Sequence, residues 1–322
     1  MRLLLTGSSG WLGRHLAPRL RDDGHQVIGL DVAPGPDTGL VGSVTDRALI
    51  DRLFAERGIE AVIHAGALHK PDIARYPKQA FVDVNVTGTL NLLEAAVAAG
   101  CGRFVFTSTT SLMISEAIRA GKAGGARRAA WLTEESGPLE PRNVYGVTKR
   151  AAEQLCGLVH REHGLPVVVL RTGRFFPEED DTHRDLSGPN TKANEFLNRR
   201  LTVEDCAEAH VAALERAPAI GFGLYIVAAP PPFAEAEAEA LIEDAQAVVA
   251  RHFPEAAELY ARQGWRLPDH LDRVYDPSRA ERELGFRART DFAAILAALR
   301  DGRPLPFVHD PDYVSPKEEA TP

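Results

Sequence analysis

Residues 1–16 read MRLLLTGSSGWLGRHL, an apolar run followed by glycines at 7, 10 and 13. Two readings compete for those glycines: they shape a turn, or they let the backbone come close to a phosphate. RLLLTG is strand-like and residues 11–23 are helix-like, so the glycines sit at a strand-to-helix junction. A helix start there presents free N–H groups and a partial positive charge, the setting a pyrophosphate requires. A side chain at Gly7, Gly10 or Gly13 would obstruct the turn, the phosphate or the helix–strand packing. Asp31 closes the next strand, HQVIGLD, where a carboxylate meets the adenosine ribose hydroxyls. That carboxylate repels a 2′-phosphate, and the VAPG after it holds no arginine, so NAD is expected over NADP.

Outward from this stretch the first half alternates regularly. AVIHAGA, CGRFVFTS and PVVVLRTG predict further strands, and 45–57, 78–99 and 144–163 predict helices. Such alternation predicts an α/β fold, a doubly wound parallel sheet of Rossmann type. After Arg174 the pattern breaks: FFPEEDDTHRDLSGPNTKANEF predicts loop, and LTVEDCAEAHVAALERA a helix capped by Thr202. GLYIVAAPPPF predicts a strand and 234–252 a helix. The division expected is a core over 1–174 that binds NAD and carries the catalytic residues, then a mixed region over 175–300. This region completes the sheet and forms a smaller C-terminal substrate-binding lobe. Residues 301–322 form a proline-rich tail, expected to be partly unordered.

Composition narrows the function classes. The 322 residues are 44% apolar and 25% charged, those of an ordinary globular protein. A net charge of −8 without a basic stripe argues against nucleic acid as a partner. No apolar run reaches the ~18 residues a membrane span needs. The N-terminus lacks a signal-peptide shape, and Cys101, Cys156 and Cys206 are isolated, so reduced thiols and a cytoplasmic location are expected. His64 and His69 have no third ligand at metal spacing and read as packing, with no metal expected.

Tyr145 and Lys149 lie four apart on one predicted helix and share a face. A free tyrosine, with a pKa of ~10, is a poor base at neutral pH, and a nearby ammonium favours its phenolate.

TGSSGWLG, with its GxxGxxG spacing, resembles the nucleotide loop of the extended short-chain dehydrogenase/reductase superfamily, in its branch of NAD-dependent epimerases and dehydratases. HAGA at 64–67, VNVTGT around Asn85, TST at 107–109 and YGVTK at 145–149 agree in order and spacing. RTGRFFP, LTVEDCAEAH and YDPSRAERELGF continue the likeness to about residue 298. It implies hydride transfer between NAD and a secondary alcohol or ketone of a sugar-like substrate. Thr109, Tyr145 and Lys149 would be catalytic, with Tyr145 as acid/base. The cofactor would meet Gly7, Gly10, Trp11, Leu12, Gly13, Asp31, Ser43, Val44, Ala65, Gly66, Ala67, Asn85, Thr107 and Thr172, besides Tyr145 and Lys149. The substrate would meet Thr109, Thr110, Ser111, Arg174 and Arg199. The likeness also implies a homodimer, for which Leu90, Leu93 and Val97 are candidates unless the sheet buries them.

Departures refine this. Related sugar 4,6-dehydratases follow their threonine with an acidic pair, whereas Thr110 and Ser111 follow here, so dehydration is not expected. Ser43 stands where an acid usually faces adenine. The short stretch between Arg174 and Thr202 resembles uronate and other free-sugar dehydrogenases. A nucleotide-sugar epimerase holding NAD tightly is the alternative within enzymes, and a non-catalytic NAD sensor the alternative outside them. The apparent insertion between Ser111 and Tyr145 carries Arg119, Lys122, Arg127 and Arg128. It reads as a solvated basic loop, or as the source of an arginine that folds over the site.

Overall fold

The structure, a computed structural model, describes residues 1–179 and 185–319. Strand β1 (Arg2–Thr6) lies near the centre of a seven-stranded parallel sheet. Its Leu3 and Leu5 enter one packing layer and Leu4 the opposite one, each without exposed surface. Burial on both faces is why the strand is continuously apolar, and each leucine contributes about 1.5–3 kcal/mol.

The other strands are β2 (Gln26–Asp31), β3 (Leu40–Val41), β4 (Ala61–His64), β5 (Arg103–Thr109), β7 (Val167–Thr172) and β8 (Phe222–Val227). Their order is β3-β2-β1-β4-β5-β7-β8. The winding reverses between β1 and β4, and the crevice at such a switch point is where doubly wound sheets bind ligands. Helices Trp11–Asp22 and Val203–Ile220 pack together on one face. Helices Arg47–Arg57, Gly88–Ala98 and Val144–His163 cover the other.

Four expectations change. The helix expected over 78–99 is interrupted by a π turn at Asp83–Thr87, which carries the buried Asn85. The insertion after Ser111 is not a loop. It forms helix Glu116–Ala120 and strand β6 (Ala130–Leu132), which pairs in parallel with β9 (Arg273–Tyr275). Within 175–196, where loop was expected, helix Gly188–Glu195 is buried and capped by Ser187; residues 180–184 lie outside the described residues. Polar side chains hid it, because its buried face carries Thr191, Lys192, Asn194 and Glu195 with partners supplied by distant residues. Last, the helix expected over 234–252 breaks at Asp244, whose carboxylate caps Ala245–His252.

Candidate active site

A cleft of about 340 Å³ opens at the switch point. Gly7, Gly10, Trp11, Leu12, Asp31, Ser43, Val44, Ala65, Gly66, Ala67 and Thr107 all line it. Gly7 adopts a φ of +75°, and a Cβ there would lie 2.7 Å from the Gly66 nitrogen. A Cβ at Gly13 would lie 2.2 Å from the Gly7 carbonyl oxygen, so Gly13 underlies the loop without lining the cleft. Gly10 caps helix Trp11–Asp22 with extended backbone and no side-chain capping bond. That arrangement fits a pyrophosphate: a glycine cradle closed to any side chain, at a helix N-terminus. The Asp31 carboxylate accepts from Ser9 N (3.0 Å) and Ala33 N (3.2 Å), which fix it at the cleft edge.

Thr109 Oγ1 accepts from Ser111 N (3.1 Å) and its side chain hydrogen-bonds Tyr145. Tyr145 is buried, and burial pushes its pKa up to about 12, with the Thr109 bond opposing and Asp72 adding to the rise. Lys149 is also buried, which pulls its pKa down to about 7. Its ammonium donates to the Thr107 carbonyl (2.6 Å) and sits 4.0 Å over the Phe106 ring. Sequence reasoning weighed that ammonium on the phenol; in the structure burial governs both groups and favours their neutral forms.

Several other sequence-chosen residues act behind the cleft wall. Asn85 accepts from Leu68 N (2.9 Å) and donates to Leu68 O (3.0 Å), holding the segment after β4. Thr172 donates to Ser108 O (3.1 Å), and Thr110 donates to Thr172 O (3.2 Å), so both tie β5 to β7. His64 is neutral, with burial taking its pKa to about 3, and bonds Thr6 and Thr89.

The lobe holds a second cleft, of about 670 Å³. Arg119, Arg199, Arg266 and Arg273 line it, with Tyr260 and Trp265. Glu195 organises this side: Arg199 and Arg200 each lie 2.8 Å from its carboxylate and Arg174 lies 3.4 Å away. Burial works against the Glu195 charge, but the three guanidiniums hold its pKa far below the usual range. Arg174 does not line this cleft, while Arg119 is the insertion arginine that does. Lys122 and Arg128 instead tie the insertion to the lobe, through Glu243 O (2.8 Å) and Glu235 (3.4 Å).

Sequence reasoning missed three features. Glu153 binds Arg171 (2.7 Å) and Ser108 (2.6 Å) inside the core; the only signal was an arginine within the apolar run VVVLRT, which needs a buried partner. The Glu195 cluster and the tail contacts at Asp72 had no local signal.

The chain belongs to the NAD dependent epimerase/dehydratase family, whose pattern it matches over residues 3–223, and it is therefore an NAD-dependent enzyme of the extended short-chain dehydrogenase/reductase type. A dTDP-glucose 4,6-dehydratase of Streptomyces antibioticus is 27% identical, with 94% of this chain and 92% of that protein covered. A probable UDP-glucuronate 4-epimerase of Rhizobium meliloti is 29% identical, but there the chain spans about half of the relative's length (53%) and 55% of its own. The fold is shared with the UDP-glucose 4-epimerase of Thermus thermophilus solved with NAD, at a TM-score of 0.62 and 23% identity. That match covers 93% of this chain and 99% of that one.

Proposed function

We propose that this enzyme moves a hydride between NAD and a secondary alcohol of a sugar carried on a nucleoside diphosphate. The observation that carries the substrate class is the lobe cleft. Its arginines, the exposed Arg266 foremost, offer cations for a diphosphate among the carboxylates of Asp185, Glu195, Asp269 and Asp272, and the half-buried Trp265 ring, backed by the buried Tyr260, offers an aromatic face for a base. The named relatives weigh the same way. The lobe cleft is lined from 119–120, 185–199 and 246–273.

Backbone N–H groups at Trp11 and Leu12, the first of their helix, would hold the pyrophosphate, since those of Gly7 and Gly10 donate to the Leu30 and Gly7 carbonyls; Asp31 would hold the adenosine ribose, and Ser43 and Val44 the adenine side. Leu12, Ala65, Gly66, Ala67 and Thr107 complete the walls, with Gly13, Asn85 and Thr172 bracing them from behind. Bound NAD supplies the hydride acceptor. Tyr145 takes the hydroxyl proton, Thr109 and Ser111 orient the substrate oxygen, and Lys149 holds the nicotinamide ribose. Arg199 faces the anionic part of the substrate, and Arg174 stands behind it at Glu195. Thr110 is committed to the Thr172 carbonyl and no acid follows Thr109, so water elimination has no proton donor there. That leaves epimerisation or net oxidation. A homodimer would use the exposed Val82, Val147 and Leu158, because Leu93 is buried in the core and Val97 packs against it.

The test is incubation with UDP-glucose, UDP-glucuronate and dTDP-glucose beside the free sugars, read by chromatography of the sugars and by NADH absorbance at about 340 nm. Conversion of a nucleotide-linked sugar alone supports the reading; turnover of free sugars alone overturns it.

A further inference from the structure

Residues 301–319 of the tail, expected to be partly unordered, cross the molecule to the cofactor cleft, while 320–322 lie outside the described residues. Asp310 N donates to Pro177 O (3.0 Å), and the Tyr313 ring meets Trp11 edge-on with centroids 5.2 Å apart. Beyond it, Glu318 pairs with Arg75. Lys317 Nζ reaches Asp72 Oδ2 (2.5 Å) and the Ala67 carbonyl (3.3 Å).

Asp72 is 1% exposed. Its Oδ2 also accepts from His69 N (2.5 Å), and its Oδ1 finds no partner among the described residues. A buried carboxylate so placed is costly unless a cation meets it, and here the cation comes from 245 residues further along the chain. The turn that carries Asp72 also reaches Tyr145: its His69 ring lies 5.8 Å from the Tyr145 ring. The titratable and charged groups about Tyr145 are Lys149 on its own helix, His69 and Asp72 from the segment after β4, and Lys317 and Arg75 behind Asp72. His69 is neutral, driven there by burial and then by Lys317 and Lys149, and the Lys149 ammonium is held at Thr107. Burial is the main obstacle to ionising the phenol, and the Asp72 charge adds to it.

We propose that Lys317 is a positioning residue of the reaction: from the tail it neutralises Asp72, easing ionisation of Tyr145, while the strap that carries it closes the cofactor cleft over Trp11. The strap is a wall of that cleft rather than a plug, because Tyr313, Ser315 and Lys317 line the open volume. The catalytic half of this proposal rests on Tyr145 acting as acid/base; the strap half does not.

The test uses the full chain, Lys317→Met, Lys317→Arg, the double variant Asp72→Asn/Lys317→Met, and a chain ending at Asp312. Two quantities are read: NAD release, followed by fluorescence, and the pH at which the oxidation rate rises. Lys317→Met moves that rise upward by about one pH unit, because the Asp72 carboxylate loses the ammonium that faces it. Lys317→Arg and the double variant restore it. The shortened chain behaves as Lys317→Met and releases NAD about tenfold faster, a change of ~1.4 kcal/mol. An unmoved pH profile in Lys317→Met overturns the role of Lys317. Unchanged release, or tighter NAD binding by the shortened chain, overturns the strap. Should Tyr145→Phe keep the full rate, the acid/base reading falls, and NAD release still decides the strap.

Discussion

The two clefts are built in opposite ways. At the switch point the groups that shape the site lie within a few residues of a strand end, and much of the recognition is by backbone. In the lobe, Arg119, Arg199 and Arg266 come from three separate segments, and side chains make the surface. A backbone site demands glycines at fixed offsets, because any Cβ collides, as at Gly7 and Gly13. A side-chain site can draw an arginine from anywhere the fold brings close.

The comparison breaks if mutations on the two sides act on the same quantity. Gly13→Ala drives a methyl into the Gly7 carbonyl, so NAD affinity falls about a hundredfold (~2.8 kcal/mol) in a fluorescence titration, with the lobe cleft unaffected. Glu153→Ala leaves Arg171 buried without its carboxylate and costs about 3–5 kcal/mol in urea unfolding. Arg199→Ala raises KM for a nucleotide-linked sugar about tenfold and leaves NAD binding alone; a fall in NAD affinity instead would merge the two clefts.

Lys149→Met sharpens the contrast between stability and function. Burial holds the lysine at about 7, below its unfolded value of ~10.4, so across that interval the unfolded chain carries the extra proton. Lys149 therefore costs stability, a cost that is largest below about pH 7 and fades as pH rises toward ~10. The methionine variant loses activity yet gains a few degrees in Tm at neutral pH, and the gain shrinks in alkali. A lower Tm would contradict this.

The parallel sheet was legible because its strands are buried on both faces and so are continuously apolar. β3, two residues long, and β6, inside the basic insertion, carry no such signature. Tyr145, Lys149 and Thr109 were found through spacing and resemblance, and the structure gathers them at the ends of β5 and the Val144–His163 helix. Asp72 and Lys317 were not found, since a pair 245 residues apart leaves no pattern in sequence. Glu195 escaped for another reason: in a polar stretch, a buried carboxylate looks like a solvated one until its three arginines are seen around it.

The central claim, hydride transfer governed by Tyr145, is tested by mixing NAD-loaded protein with a nucleotide-linked hexose and recording absorbance at about 340 nm in one turnover. The wild type forms NADH, and Tyr145→Phe does so slower by ~10²–10⁴. Equal rates in the two proteins, or turnover of the sugar by NAD-free protein, would contradict the account.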